Sequence, residues 1–399
     1  MITTPSKATN THFKKQIELL EKYEQSGDSL TEVLAEEGWS YDDLIYENSY
    51  KKSYTNNHEA ILDRVRLLGN SEQVVSFFTG CGGMDLGFEA VGYEHLAAFE
   101  FNELCCKTLR RNRPEWNIFG PPTHLGDVSR FEEIADALTP MISPSFEGIF
   151  IGGPPCQPFS IASNQRFSKS DDNFKRIGFT HQKNGNLLFD YVRLIMEFRP
   201  KAFIIENVPG LRDIDNGEQL ADAIKRLNSA GYNVTEPFVL NAAHYNVPQQ
   251  RLRLFIIGTR GSGVFKKPTP SLKRVSVGSV LTDTKGLNNN ETREHKAESI
   301  LRYMRLNYGQ RDQLGRVDRL DPSLPSKTVI AGGTNGGGRS HLHPEIPRTL
   351  SVRECARIQT FPDDYIFVGP SARQFTQVGN AVPPALAAQI AQCIRESFF

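Results

Sequence analysis

Five short apolar runs constrain this chain more than any other feature: VVSFF (74–78), HLAAF (95–99), GIFIG (148–152), AFIIE (202–206) and RLFIIG (253–258). They are almost unbroken and rich in β-branched or aromatic residues, as strands buried on both faces of a parallel sheet are. The stretches 186–198 (NLLFDYVRLIMEF) and 218–230 between them have the period and length of crossover helices. The predicted fold is α/β, a doubly wound and mostly parallel sheet. In such sheets the chemistry lies just beyond the carboxyl ends of the strands, so the residues around those ends are the functional candidates.

The remaining segments differ in pattern. Residues 263–369 are rich in Gly, Asn, Ser and basic side chains, include GGTNGGGRSH (332–341), and are expected to form a smaller, loop-rich domain. Residues 73–262 plus 370–399 make the sheet domain, closed by a helical stretch in which Ala385 to Ile394 is apolar on one face. Residues 1–72 form a helical amino-terminal extension. There Phe13, Ile17 and Leu20 share a helical face, while Ser29…Glu32 and Ser40…Asp43 have capping-box spacing. Two short capped helices fit a helix-turn-helix or a packing extension; the acidity of the segment, 8 Lys/Arg against 13 Asp/Glu, favours packing. Residues 260–319 carry 13 Lys/Arg against 6 Asp/Glu, which suits either a phosphate-contacting surface or a solvated Arg-rich loop. No apolar run reaches the roughly 18 residues that span a bilayer, and the first residues lack the apolar core of a signal peptide. The six cysteines include no CxxC pair, which points to a reducing, cytoplasmic setting and free thiols.

Four motifs carry candidate chemistry. Phe77-Phe78-Thr79-Gly80-Cys81-Gly82-Gly83 follows the first strand, where glycines permit a tight turn and close approach of a ligand. Glu100 ends the next strand, where a carboxylate grips the ribose of a bound nucleoside. Asp85 stands where a dinucleotide fingerprint has its third glycine, so a nucleoside other than NAD is favoured; Gly126-Asp127-Val128 adds a further acid. In Gly152-Gly153-Pro154-Pro155-Cys156-Gln157-Pro158-Phe159-Ser160, three prolines fix the backbone around one thiol. Ile205-Glu206-Asn207-Val208-Pro209-Gly210 puts a carboxylate at a strand end, where it is a helix cap or a reactive group. Gln249-Gln250-Arg251-Leu252-Arg253 sends two arginines onto one face of a strand, which is costly unless they are paired.

The order and wording of these segments, with RTLSVRECARIQTFP (348–362) and QVGNAVPP (377–384), resemble the DNA (cytosine-5) methyltransferase family of bacterial restriction–modification systems. The resemblance covers about residues 74–260 and 322–396. It implies a Rossmann-like methyltransferase domain that takes S-adenosylmethionine, and a target-recognition domain for duplex DNA. It implies methyl transfer to carbon 5 of a flipped-out cytosine through a covalent Cys156 adduct. Glu206 would hold the ring N3 and amine and Arg253 the ring O2, with Arg251 and Gln157 completing the catalytic set. The cofactor would meet Phe78, Gly80, Cys81, Gly82, Gly83, Glu100, Phe101, Asp127, Val128, Pro155, Asn380 and Val382. No metal is expected. The resemblance further implies protection of host DNA, a functionally linked restriction endonuclease, a monomer, and a cytoplasmic, nucleoid-associated location. Two rival readings remain: a tRNA cytosine methyltransferase on the same scaffold, which lacks a large recognition domain, and a silent nucleic-acid-binding homologue, which should have lost one of these side chains. Two features depart from the family pattern, the long polar stretch between Cys156 and Asn186 and the first 70 residues.

Overall fold

A parallel sheet must be covered on both faces, and the computed structural model, which describes residues 8–24, 29–49, 54–63, 72–155, 187–331 and 341–399, shows how this is done. The chain divides into two compact units, residues 1–60 with 274–380, and residues 61–273 with 381–399. The boundaries therefore differ from the three segments expected. The amino-terminal helices α1 (Ala8–Tyr23) and α2 (Leu30–Glu36) belong with the loop-rich region, because Leu20, Leu30, Leu34, Tyr41 and Leu44 share one core with Ile300, Met304, Val317 and Leu342. A short helix α3 (His58–Asp63) crosses the boundary.

The second unit holds the sheet. Its elements are β1 (Gln73–Phe77), α4 (Gly83–Ala90), β2 (Glu94–Phe99), α5 (Glu103–Asn112), β3 (Ile118–Phe119), α6 (Phe131–Leu138), β4 (Ile149–Gly152), α7 (Leu187–Phe198), β5 (Ala202–Asn207), α8 (Glu218–Ser229), β6 (Asn233–Val234), β7 (Phe238–Asn241) and β8 (Leu252–Thr259). The strand order is β3-β2-β1-β4-β5-β8-β6, with β7 also on β8. β3 through β5 are parallel, as the apolar runs predict. β8 is not: it runs antiparallel to β5, β6 and β7. The chain reaches β8 from its antiparallel neighbour β7, so no parallel crossover intervenes.

Between residues 297 and 380 the first unit adds α9 (Ala297–Met304), the two-stranded parallel pair β9 (Asp318–Arg319) and β10 (His341–Leu342), α10 (Val352–Ile358) and α11 (Ser371–Asn380). The closing helix α12 (Pro384–Phe398) returns to the sheet unit and packs on α4. A Cβ on Gly87 would lie 2.5 Å from that of Ala387, so glycine alone admits this approach. No described helix is long and apolar enough to cross a membrane.

Ser40 makes its expected local bond, its N–H and hydroxyl donating to the Asp43 carboxylate at 2.8 Å. Ser29 does not cap α2; its hydroxyl donates instead to Glu294, because the core draws that segment against residues near 294. At the start of α10, Arg348 clamps Glu354 with two bonds of 2.9 Å, and Glu354 also accepts from the Ser351 N–H. Burial raises the Glu354 carboxyl, but the Arg348 charge, His343 and these bonds outweigh it and hold it at about 2. A depressed carboxyl stabilises the fold above its ordinary value of 4.5 and loses that contribution as pH falls toward about 2. Arg348→Met should thus cost about 3–5 kcal/mol at neutral pH by leaving a buried charge unpaired. Urea unfolding should show this gap at pH 7 and a smaller one at pH 3; an equal gap at both would contradict the pairing.

Candidate active site

Strand direction assembles the first half of the site. Glu206 sits at the end of β5 and Arg253 near the start of β8. In parallel strands these positions would lie at opposite edges. The antiparallel register pairs Glu206 with Phe255, so Arg253, two residues along, shares its face. Arg253 Nε meets Glu206 Oε1 at 2.9 Å, with the side chains 15% and 12% exposed. This corrects the expectation that every functional candidate follows a strand: Arg251 precedes β8 and Arg253 is its second residue, and reversal of that strand brings them to the edge where β5 ends.

Arg251 is buried and donates through Nη2 to the Ala381 carbonyl at 2.8 Å, while Leu252 between the arginines is exposed. Burial raises the Glu206 carboxyl from its ordinary range, against the downward pull of Arg253 and Arg251. Burial lowers both guanidiniums, and the Arg253 charge lowers Arg251 further. Starting above 12, they stay protonated. The cluster therefore holds two guanidiniums against one buried carboxyl.

The backbone entering the thiol motif is fixed against this cluster. A Cβ on Gly153 would lie 2.9 Å from Glu206 Oε2, and Asn207 Nδ2 donates to the Pro154 carbonyl at 3.0 Å. Pro155 is exposed. Cys156 and Gln157 lie outside the described residues. The other cysteines are poor nucleophiles: burial pushes the thiols of Cys81, Cys105 and Cys355 far up, that of Cys106 to about 12 and that of Cys393 to about 11.

The second half lies at the ends of β1 and β2. Glu100 is buried; its Oε2 accepts from the Gly80 N–H and its Oε1 from the Asn102 N–H, both at 2.7 Å. Burial nonetheless raises this carboxyl. Phe78, Gly80 and Gly82 all have positive φ, at 55°, 58° and 80°. Gly82 precedes α4, and buried Gly83 begins it. A Cβ on Gly80 would meet nothing within 4 Å, which leaves an open cradle beside a carboxylate. Phe101 presents a ring 64% exposed. Cys81 and Val128 are buried, while the Asp127 carboxylate accepts from the Ser129 N–H and hydroxyl. Asn380 ends α11, and Val382 is buried two residues on.

Sequence reasoning gave no role to Asn207, Gly153 or Gly126. A Cβ on Gly126 would lie 2.2 Å from the Glu100 carbonyl. The available signal was position: an amide directly after a strand-end acid, and glycines one to three residues before proposed site residues.

Residues 73–396 match the family of C-5 cytosine-specific DNA methylases. The type II methyltransferase M.PspPI of Psychrobacter sp. (strain TA137) is 32% identical over 390 residues, covering 87% of this chain and 88% of the relative. M.Eco47II of Escherichia coli, also a type II methyltransferase, is 30% identical over 385 residues, 86% of each chain. Among solved structures, a prophage-encoded DNA modification methyltransferase from E. coli superposes with a TM-score of 0.67 at 24% identity, covering 82% of this chain and 99% of that one. At that identity the likeness speaks for the fold.

Gly153→Ala should push the Glu206 carboxylate off its 2.9 Å contact with Arg253. Turnover should fall on the order of 100-fold, as for a misplacement of about 1 Å, with unchanged affinity for the Glu100 ligand by calorimetry. Unchanged turnover would show that this contact does not position the acid.

Proposed function

The chain belongs to the C-5 cytosine-specific DNA methylase family and transfers a methyl group from S-adenosylmethionine to carbon 5 of cytosine in DNA; we propose that Cys156, Glu206 and Arg253 carry the transfer, within a type II restriction–modification system. The observation that carries the proposal is the 2.9 Å Glu206–Arg253 pair standing against the backbone that leads into Cys156.

S-adenosylmethionine, when bound, supplies an electrophilic methyl on a sulfonium sulfur. The residues at β1 and β2 fit it: the Gly80 cradle leaves room, Glu100 keeps lone pairs for ribose hydroxyls, and Phe101 and Phe78 offer faces for an adenine. Asp127 and Val128 border the same edge, with Cys81, Gly82 and Gly83 forming the turn. Pro155, Asn380 and Val382 complete the proposed set.

At the other end, unstacking a cytosine costs a few kcal/mol, recovered by contacts in the pocket. The Cys156 thiolate bonds to ring carbon 6, and the electron pair displaced toward N3 is met by the Glu206 proton. Burial raises the Glu206 carboxyl from its ordinary range, and Glu206 would serve as the proton donor to N3. Arg253 holds ring O2 and keeps Glu206 aimed, while Arg251 adds a second positive charge near Glu206; Gln157 follows the nucleophile in sequence. Carbon 5 takes the methyl, the donor sulfonium being left as a thioether; the carbon 5 proton then passes to water as the sulfur–carbon 6 bond breaks, restoring the ring and the Cys156 thiolate, and N3 returns its proton to Glu206.

The unit that includes residues 274–380 reads as the target-recognition unit. Its exposed Arg274, Lys285, Arg293, Lys296, Arg311 and Arg316 suit a phosphate surface, and base-edge contacts would set specificity at about 1–3 kcal/mol per base pair. The reading extends to host-DNA protection in the cytoplasm, a linked restriction endonuclease and a monomer.

Cys156→Ala should remove methyl transfer by at least about 1,000-fold while leaving gel-shift binding of the target duplex intact; residual activity near wild type would refute the nucleophile. Glu100→Ala should weaken S-adenosylmethionine about tenfold or more, the loss of one charge-assisted hydrogen bond, with little change in saturated turnover. Unchanged affinity by titration calorimetry would end the ribose assignment.

A further inference from the structure

The amino-terminal segment lies outside the matched family region, which begins at residue 73, yet it is built into the first unit. Gln16 is fully buried, donating to the Asp43 carbonyl at 2.7 Å and accepting from the Ile45 N–H at 3.1 Å. This pins the backbone just before Tyr46. Tyr46 is also fully buried; its hydroxyl donates to the His343 carbonyl at 2.8 Å, and the Arg319 guanidinium covers its ring at 3.5 Å. Arg319 stacks on Tyr308 as well, at 3.9 Å, and donates to the carbonyls of Pro344, Asn48 and Leu306. A buried cation held by two rings and a set of carbonyls has one tolerated position, since losing a cover exposes an uncompensated charge.

A basic turn is mounted on that cation. The Arg319 N–H donates to Gln310 and its carbonyl accepts from Gly309, both at 2.9 Å, while Asp312 N–H donates to Val317. Gly315 takes the positive φ, 66°, that closes the turn. Asp312 points its carboxylate inward to the N–H groups of Arg316 and Val317, and Asp318 is paired with Lys327. The outward charge is therefore that of exposed Arg311 and Arg316.

We infer that the 310–317 turn is a DNA-backbone contact and that the amino-terminal segment positions it, with Tyr46 clamping Arg319 as the positioning residue. This rests on the reading of residues 274–380 as the recognition unit. Full-length protein tests it by salt-dependent binding of target and one-base-changed duplexes, with hydrogen exchange of free and DNA-bound enzyme. Arg316→Ala should weaken both duplexes alike, roughly tenfold, and lower the salt slope by about one. Tyr46→Ala should do the same by raising KM for DNA with kcat and S-adenosylmethionine affinity held within twofold, and Tyr46→Phe, which keeps the stack, should restore binding. Unchanged binding and slope in Arg316→Ala, with DNA protecting other parts of 274–380, would overturn the inference and leave the recognition reading standing. Parallel loss of cofactor affinity in Tyr46→Ala, or no rescue by Tyr46→Phe, would overturn the positioning role. No protection anywhere in 274–380 would overturn the recognition reading itself.

Discussion

An acid at the end of β5 and a guanidinium at the start of β8 meet at 2.9 Å because those two strands run in opposite directions. Were β8 parallel, its arginines would stand at the other edge of the sheet and Glu206 would be a buried acid without a counterion. Antiparallel pairing also fixes the register, since a slip of one residue would turn Arg253 to the opposite face. The proposed chemistry at the base depends on this contact, since the arginine aims the acid.

The proposed cofactor end lies along the same edge. Glu100 directly follows β2 and Glu206 is the last residue but one of β5, three strand spacings apart through β1 and β4. At about 4.8 Å per spacing the two carboxylates stand roughly 14 Å apart, a span suited to a nucleoside on one side and a pyrimidine on the other, with a methyl passing between. Glycines set the approach at both ends, Gly126 beneath the Glu100 backbone and Gly153 against the Glu206 carboxylate. Each end therefore couples a buried acid to a backbone position that admits no side chain.

Much of this was legible in the sequence. The five apolar runs gave strands within a residue or two of those observed, and the strand-end acids stood out because parallel sheets concentrate chemistry there. Direction was not legible, since RLFIIG reads alike in a parallel or an antiparallel strand. Nor was the fate of the first 60 residues. Phe13, Ile17 and Leu20 announce a buried face but not its partner, and the partner lies almost 300 residues away at Ile300 and Met304. Tyr46 and Arg319 carry no local pattern, because a buried cation held by carbonyls is a property of the folded unit. Ser29 shows the same limit: its spacing suits a cap, and a tertiary bond to Glu294 takes its hydroxyl.

Trapping the enzyme on a duplex with 5-fluorocytosine at the target position, in the presence of S-adenosylmethionine, probes the proposed Cys156 adduct itself. Fluorine cannot leave as a proton does, so the sulfur–carbon 6 bond should persist. A denaturant-stable adduct should form that mass spectrometry maps to Cys156, and far more slowly in Arg253→Ala. An adduct on another cysteine, or none while the unmodified duplex is methylated normally, would contradict that proposal.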